Sequence, residues 1–195
     1  GVLVNSRRAN LVYYNRLLAH FDLPPVPPHH LELIQTRTSA EVIDRLFPDP
    51  ELAKAAQELE KQLDNDEIIP LIEVEPYVHQ TLAALRKTYR TAIATNRGKS
   101  LPLVLEFHNL GGYFDITVSS FQVKHPKPHP DYLNIILREF GLASGQVVYI
   151  GDADVDAQLA GAVGARFLAY KNASLPARWH LRDHRDIWEV LGALS

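Results

Sequence analysis

The sequence contains no cysteine and no methionine among its 195 residues. The absence of cysteine excludes a disulfide framework, a thiolate zinc site and a cysteine nucleophile. A basic surplus is also missing: 20 Lys and Arg stand against 23 Asp and Glu, a net charge of −3. General binding to nucleic acid or to an anionic membrane needs the opposite balance, so both are excluded as partners. No apolar run approaches the ~20 residues of a membrane span, and no secretory signal is visible. The default expectation is a cytoplasmic protein. Arg97-Gly98-Lys99-Ser100 does not make a P-loop, which needs glycine where Ile93 stands. There is no internal repeat and no low-complexity tract. The first residue is Gly1, not an initiator, and with no methionine anywhere the chain is expected to continue upstream.

What is present is ordinary for a globular protein: 46% hydrophobic and 22% charged residues, in a chain long enough for one domain with a small insert. Leu11, Tyr14, Leu17, Leu18 and Phe21 recur at three and four, which predicts an amphipathic helix over 8–21. It ends at Leu23-Pro24-Pro25-Val26-Pro27-Pro28, a stiff linker. Helices are expected at 39–47, with Ser39 as N-cap, and at 50–63, closed by Asp64-Asn65-Asp66. Residues 9–72 thus read as a small all-helical unit inserted between 1–8 and 73–195.

From Glu75 onward strands and helices alternate. A helix carries Val78, Leu82 and Leu85. Strands are expected at 90–95, 114–119, 147–150 and 166–170, separated by helices at 100–107, 131–140 and 155–163, with a closing helix at 185–194. This rhythm predicts an α/β fold, a doubly wound parallel sheet with helices on both faces. In such sheets polar residues at the carboxyl ends of strands line the ligand crevice.

Those ends carry one kind of chemistry. The first finishes in Thr95-Asn96-Arg97, and another in Gly151-Asp152-Ala153-Asp154-Val155-Asp156. Between them lies Lys124-His125-Pro126-Lys127-Pro128-His129-Pro130-Asp131, a rigid loop entering a helix. A hydroxyl and backbone N–H groups hold phosphoryl oxygens, an ammonium offsets their charge, and carboxylates hold Mg²⁺.

The order Thr95, Lys127, Gly151-Asp152 with Asp156 resembles motifs two, three and four of the haloacid dehalogenase superfamily. Gly1-Val2-Leu3-Val4-Asn5-Ser6 looks like the tail of its first motif, and Lys127-Pro128-His129-Pro130-Asp131 resembles the phosphoglycolate-phosphatase-like branch. The helical unit falls where that branch inserts its helical cap. The resemblance implies a Rossmann-like core and a Mg²⁺-dependent phosphatase acting on a small phosphorylated metabolite, as a monomer or homodimer. By carry-over, Thr95 and Lys127 are catalytic, Asn96 and Arg97 join them in binding phosphate, and Asp152 and Asp156 are the metal residues, Asp152 ligating it directly and Asp156 acting through water or orienting the site. The nucleophile and the general acid, both from an Asp-x-Asp, are expected upstream of Gly1. Their strand would lie between those ending at Thr95 and Asp152. A sugar phosphomutase uses the same residues, and without the upstream carboxylates the chain would be an inactive binding module. A dehalogenase needs no metal, and a signalling receiver would have its acceptor Asp mid-chain and no helical insert.

Each residue also has a plainer reading. Thr95 could cap a strand end, Lys127 could be solvated, and Asp152, Asp154 and Asp156 could cap the next helix. Asp154 falls outside the family match. His125 and His129 have a helical metal-ligand spacing, but Pro126 and Pro128 forbid a helix there. His29-His30 and Arg7-Arg8 read as solvated pairs, and Tyr13, Tyr14 and Phe21 as a packing stripe.

Overall fold

The computed structural model describes residues 1–63 and 67–194. The expected Asp64-Asn65-Asp66 stop lies outside the described residues. Helix α1 spans Arg7–His20 and buries Ala9, Tyr14, Leu17 and Leu18. Beyond the proline linker come α2 (Leu33–Thr36), α3 (Ser39–Leu46) and α4 (Pro50–Gln62). The start of α3 corrects the expected cap. Thr38, not Ser39, is the N-cap, because its extended backbone lets its side chain bond Glu41 N–H while Glu41 bonds back. Tyr14, Leu17, Ile34, Ile43 and Phe47 form an apolar cluster within this helical segment, with Tyr13 and Phe21 packed on it.

Two short strands, β1 (Val4–Asn5) and β2 (Glu73–Val74), pair antiparallel as the chain leaves and re-enters the sheet region. After α5 (Val78–Leu85), β3 (Ala92–Thr95) is joined through α6 (Leu101–Phe107) to β4 (Ile116–Ser119). Then follow α7 (Asp131–Phe140), β5 (Val148–Gly151), α8 (Asp154–Val163), β6 (Arg166–Tyr170), β7 (Trp179–Leu181) and α9 (Ile187–Leu194). The spacing missed β7, which is only three residues long.

β3 pairs parallel with β4, and β5–β6–β7 form a second parallel set. No ladder among the described residues joins β3 to β5. The expected parallel sheet therefore comes in two pieces, parted where the family resemblance puts its first-motif strand. Val118, Tyr132, Leu133 and Leu159 pack one core cluster, and Val78, Ile93, Leu101 and Leu110 another. A smaller seam of Ala9, Ile68, Ile69, Ile72 and Val104 joins the helical segment to α6.

Candidate active site

The carboxyl ends of β3 and β5 and the loop before α7 open into one cavity of about 1040 Å³, bounded on the far side by Tyr13, Tyr14 and Thr36 of the helical segment. Its floor is organised by Asp156, in the first turn of α8 and 6% exposed. The Asp156 carboxylate folds back over the end of β5. Its Oδ2 accepts from the backbone N–H groups of Asp152 and Ala153, each at 3.2 Å. Its Oδ1 accepts from Lys127 Nζ at 2.8 Å and from the Tyr149 hydroxyl at 2.9 Å. Gly151 makes room for this return, because a Cβ there would lie 2.2 Å from the Asp156 Cβ.

Burial alone would raise the Asp156 pKa, but the Lys127 ammonium and the hydrogen bonds outweigh it and hold the group below the usual carboxylate range. The Tyr149 phenol, buried against that carboxylate, is pushed well above its ordinary value and serves as a donor.

Lys127 is 8% exposed, although it sits in a loop. The flanking prolines restrict the backbone, and its own N–H donates to Asn96 Oδ1 at 3.2 Å. Asn96 Oδ1 also accepts from the Tyr132 hydroxyl at 2.8 Å, and its Nδ2 donates to the carbonyl of Thr36 at 2.9 Å. Asn96 thereby ties the sheet, the lysine loop and the helical segment together. Burial pushes the Tyr132 phenol up to about 12, so it remains a donor.

Thr95 Oγ1 accepts from the Arg97 N–H at 3.1 Å, a local cap that leaves the hydroxyl proton able to donate to a ligand. The Arg97 guanidinium turns to Ser100 Oγ at 3.1 Å. Burial lowers its pKa, and the neighbouring Tyr14 hydroxyl opposes that shift. Asp152 is half-buried at the end of β5, its carboxylate against the Gly1 nitrogen and its carbonyl accepting from Asn172 Nδ2 at 2.9 Å. Asp154 and Lys124 are exposed.

The fold thus gathers Asn96, Lys127 and Asp156 into one hydrogen-bonded chain. Thr95 and Asp152 adjoin it in sequence, while the Arg97 side chain lies on the Tyr14 side of the cavity. Asp156 has both oxygens occupied by four donors, whereas the Asp152 carboxylate, beside Gly1, keeps part of its surface open. Sequence reasoning missed Tyr132, Tyr149, Thr36 and Asn172. A tyrosine inside an apolar run was the available signal, since a buried phenol needs a hydroxyl partner.

The model of the family described as haloacid dehalogenase-like hydrolase matches residues 1–170. The chain belongs to the haloacid dehalogenase-like hydrolases. Within that family, a phosphoglycolate phosphatase of Escherichia coli is 36% identical over 93 residues, covering 46% of this chain and 36% of the relative. The match therefore spans about a third of that relative's length. A haloacid dehalogenase hydrolase of subfamily IA, variant 1, from Geobacter sulfurreducens is 32% identical with a TM-score of 0.79, over 98% of this chain and 92% of that one. A β-phosphoglucomutase from Clostridium difficile shares the fold at 14% identity and a TM-score of 0.79, over 100% of this chain and 92% of that one. These likenesses bear out the Rossmann-like core that the family resemblance implied. No helix among the described residues is long and apolar enough to cross a membrane.

Proposed function

We propose that this chain hydrolyses a small phosphomonoester with the help of Mg²⁺, passing through an aspartyl phosphate. The observation that carries the reading is the buried Lys127–Asp156 pair at 2.8 Å, which holds an ammonium among the strand ends where a phosphate dianion would be bound. The phosphoglycolate phosphatases among its relatives make phosphoglycolate the first substrate to test.

Thr95 and the N–H groups that follow β3 would donate to phosphoryl oxygens, while Lys127 offsets their charge. Asp156 holds Lys127 in place and keeps the Asp152 and Ala153 backbone turned over the strand end. The attacking carboxylate and the acid that protonates the leaving oxygen would come from the Asp-x-Asp of the family's first motif. The carboxylate would form the new P–O bond as the ester P–O bond breaks, and water would then hydrolyse the acyl phosphate. The helical segment acts as a cap that excludes bulk water.

The donor set fits Mg²⁺. A hard cation takes one or two carboxylates and completes its shell with water and phosphate, and Asp152 offers such a carboxylate with 29% of its side chain exposed. When bound, the ion supplies charge neutralisation at the phosphoryl group.

A phosphate-release panel including phosphoglycolate, run with Mg²⁺ and after chelation, tests the proposal, together with calorimetric titration of Mg²⁺. Asp152→Asn is expected to remove most Mg²⁺ affinity and turnover while the far-UV spectrum stays unchanged. Undiminished turnover after chelation would overturn the reading, and an isomerised sugar phosphate without phosphate release would replace it with a mutase.

A further inference from the structure

The proline loop brings together side chains that a helix could not. The His129 N–H donates to the Pro126 carbonyl at 3.0 Å, closing a tight turn. That turn sets the imidazoles of His125 and His129 side by side, tilted at 44° with ring centroids 4.4 Å apart. Asp131, the first residue of α7, reaches back to both. His129 Nδ1 lies 2.9 Å from Asp131 Oδ1, and His125 Nδ1 lies 3.3 Å from Asp131 Oδ2. One ligand atom from each residue falls within 4.8 Å of the other two. The prolines that exclude the helical reading of this histidine pair are therefore the ones that build another.

We propose that His125, His129 and Asp131 form a binding site for a late first-row divalent ion, Zn²⁺ being the best match, separate from the carboxylate at Asp152. Two imidazole nitrogens and one carboxylate oxygen are the donors such ions favour, whereas Mg²⁺ prefers oxygen alone. Zn–N and Zn–O bonds of about 2.0–2.1 Å put neighbouring tetrahedral ligands about 3.3 Å apart, close to the separations here. Both histidines are exposed, so an ion can enter and a water can take the fourth position. Pro126, Pro128 and Pro130 fix φ at alternate positions of the loop, which lowers the ordering cost of closing the site. The Lys127 ammonium, in the middle of the loop, is committed to Asp156 and does not spend its charge against the ion. An ion held by residues on both sides of Lys127 would clamp the loop that supports it.

Zn²⁺ titrated alone into the intact protein should bind at one such site, and Co²⁺ should give the visible absorption of a tetrahedral complex. Removing a direct ligand costs at least what loss of its outer partner costs, about 10–100-fold in affinity. His129→Gln and Asp131→Asn should each weaken Zn²⁺ by that factor. His29→Gln with His30→Gln, in the other histidine pair, should leave Zn²⁺ affinity unchanged, and so should Asp152→Asn, which separates this site from the proposed Mg²⁺ site. Zn²⁺ should also slow amide exchange across 124–131. The proposal is overturned if the parent protein does not bind Zn²⁺, or if the His29/His30 variant loses it. Undiminished binding in folded His129→Gln and His125→Gln variants would overturn it as well.

Discussion

Lys124 and Lys127 differ by three positions in one loop, yet one is exposed and the other buried against a carboxylate. Lys127→Ala leaves Asp156 charged and buried without its counter-ion, a loss of about 3 kcal/mol even though other donors remain. On the proposed function it would also remove a charge-assisted phosphate contact of roughly 1.5–3 kcal/mol, one to two decades in rate. Lys124→Ala should change neither urea stability nor turnover appreciably. Equal small losses at both positions would refute the site. Gly151→Ala tests the same cluster from below, because the new Cβ meets Asp156 Cβ and Cγ at 2.2 and 2.7 Å. We expect a clearly lowered melting temperature and a weakened Lys127 contact. A melting temperature equal to the parent's would mean that the carboxylate moves aside freely.

At the scale of elements, most of the fold was legible because period and punctuation agree. α7 and β6 run over the residues their patterns marked, 131–140 and 166–170. The β1–β2 ribbon was not legible, since two residues per strand are too few to show alternation. For the site, spacing along the chain indicated which residues cluster but not how they bond. Asp156 looked like a metal ligand because a carboxylate four residues after Asp152 can be one. Only the folded loop shows that four donors already occupy it.

The turn before α9 carries its own titration. His184 Nε2 donates to the Val2 carbonyl at 2.7 Å, and its ring packs on Tyr170. Burial lowers the His184 pKa, partly offset by that hydrogen bond. The unfolded chain then binds a proton first, so this stability is complete above the ordinary histidine pKa of about 6.5 and is lost as pH falls through the lower folded value. Urea midpoints measured from pH 7.5 down to 5 should decline, and His184→Gln should flatten that slope. An unchanged slope in the variant would assign the decline elsewhere.

For the whole molecule, Asn96 is a polar link between the sheet and the helical segment, through Thr36, beside Lys99, whose ammonium donates to the Glu60 carbonyl. Asn96→Ala removes that bond and orphans the Tyr132 hydroxyl and the Lys127 N–H. Amide exchange around 33–41 should quicken, and the apparent affinity for substrate should fall more than stability does. If exchange there stays at the parental rate, the apolar seam around Val104 and the Lys99–Glu60 contact hold the segment without it.

The β1–β2 ribbon pairs Val4 with Val74 and Asn5 with Glu73, so the helical segment departs and returns through neighbouring rungs of one short ladder. To the rest of the molecule, whatever lies between those rungs is a closed loop with both ends already clamped. Doubling its length would add only about 0.6 kcal/mol of closure entropy. The intervening helices can therefore be lengthened, trimmed or exchanged without renegotiating the register of any sheet strand. The two-rung ladder is a splice point, and diversity in this lineage can accumulate there at low thermodynamic risk.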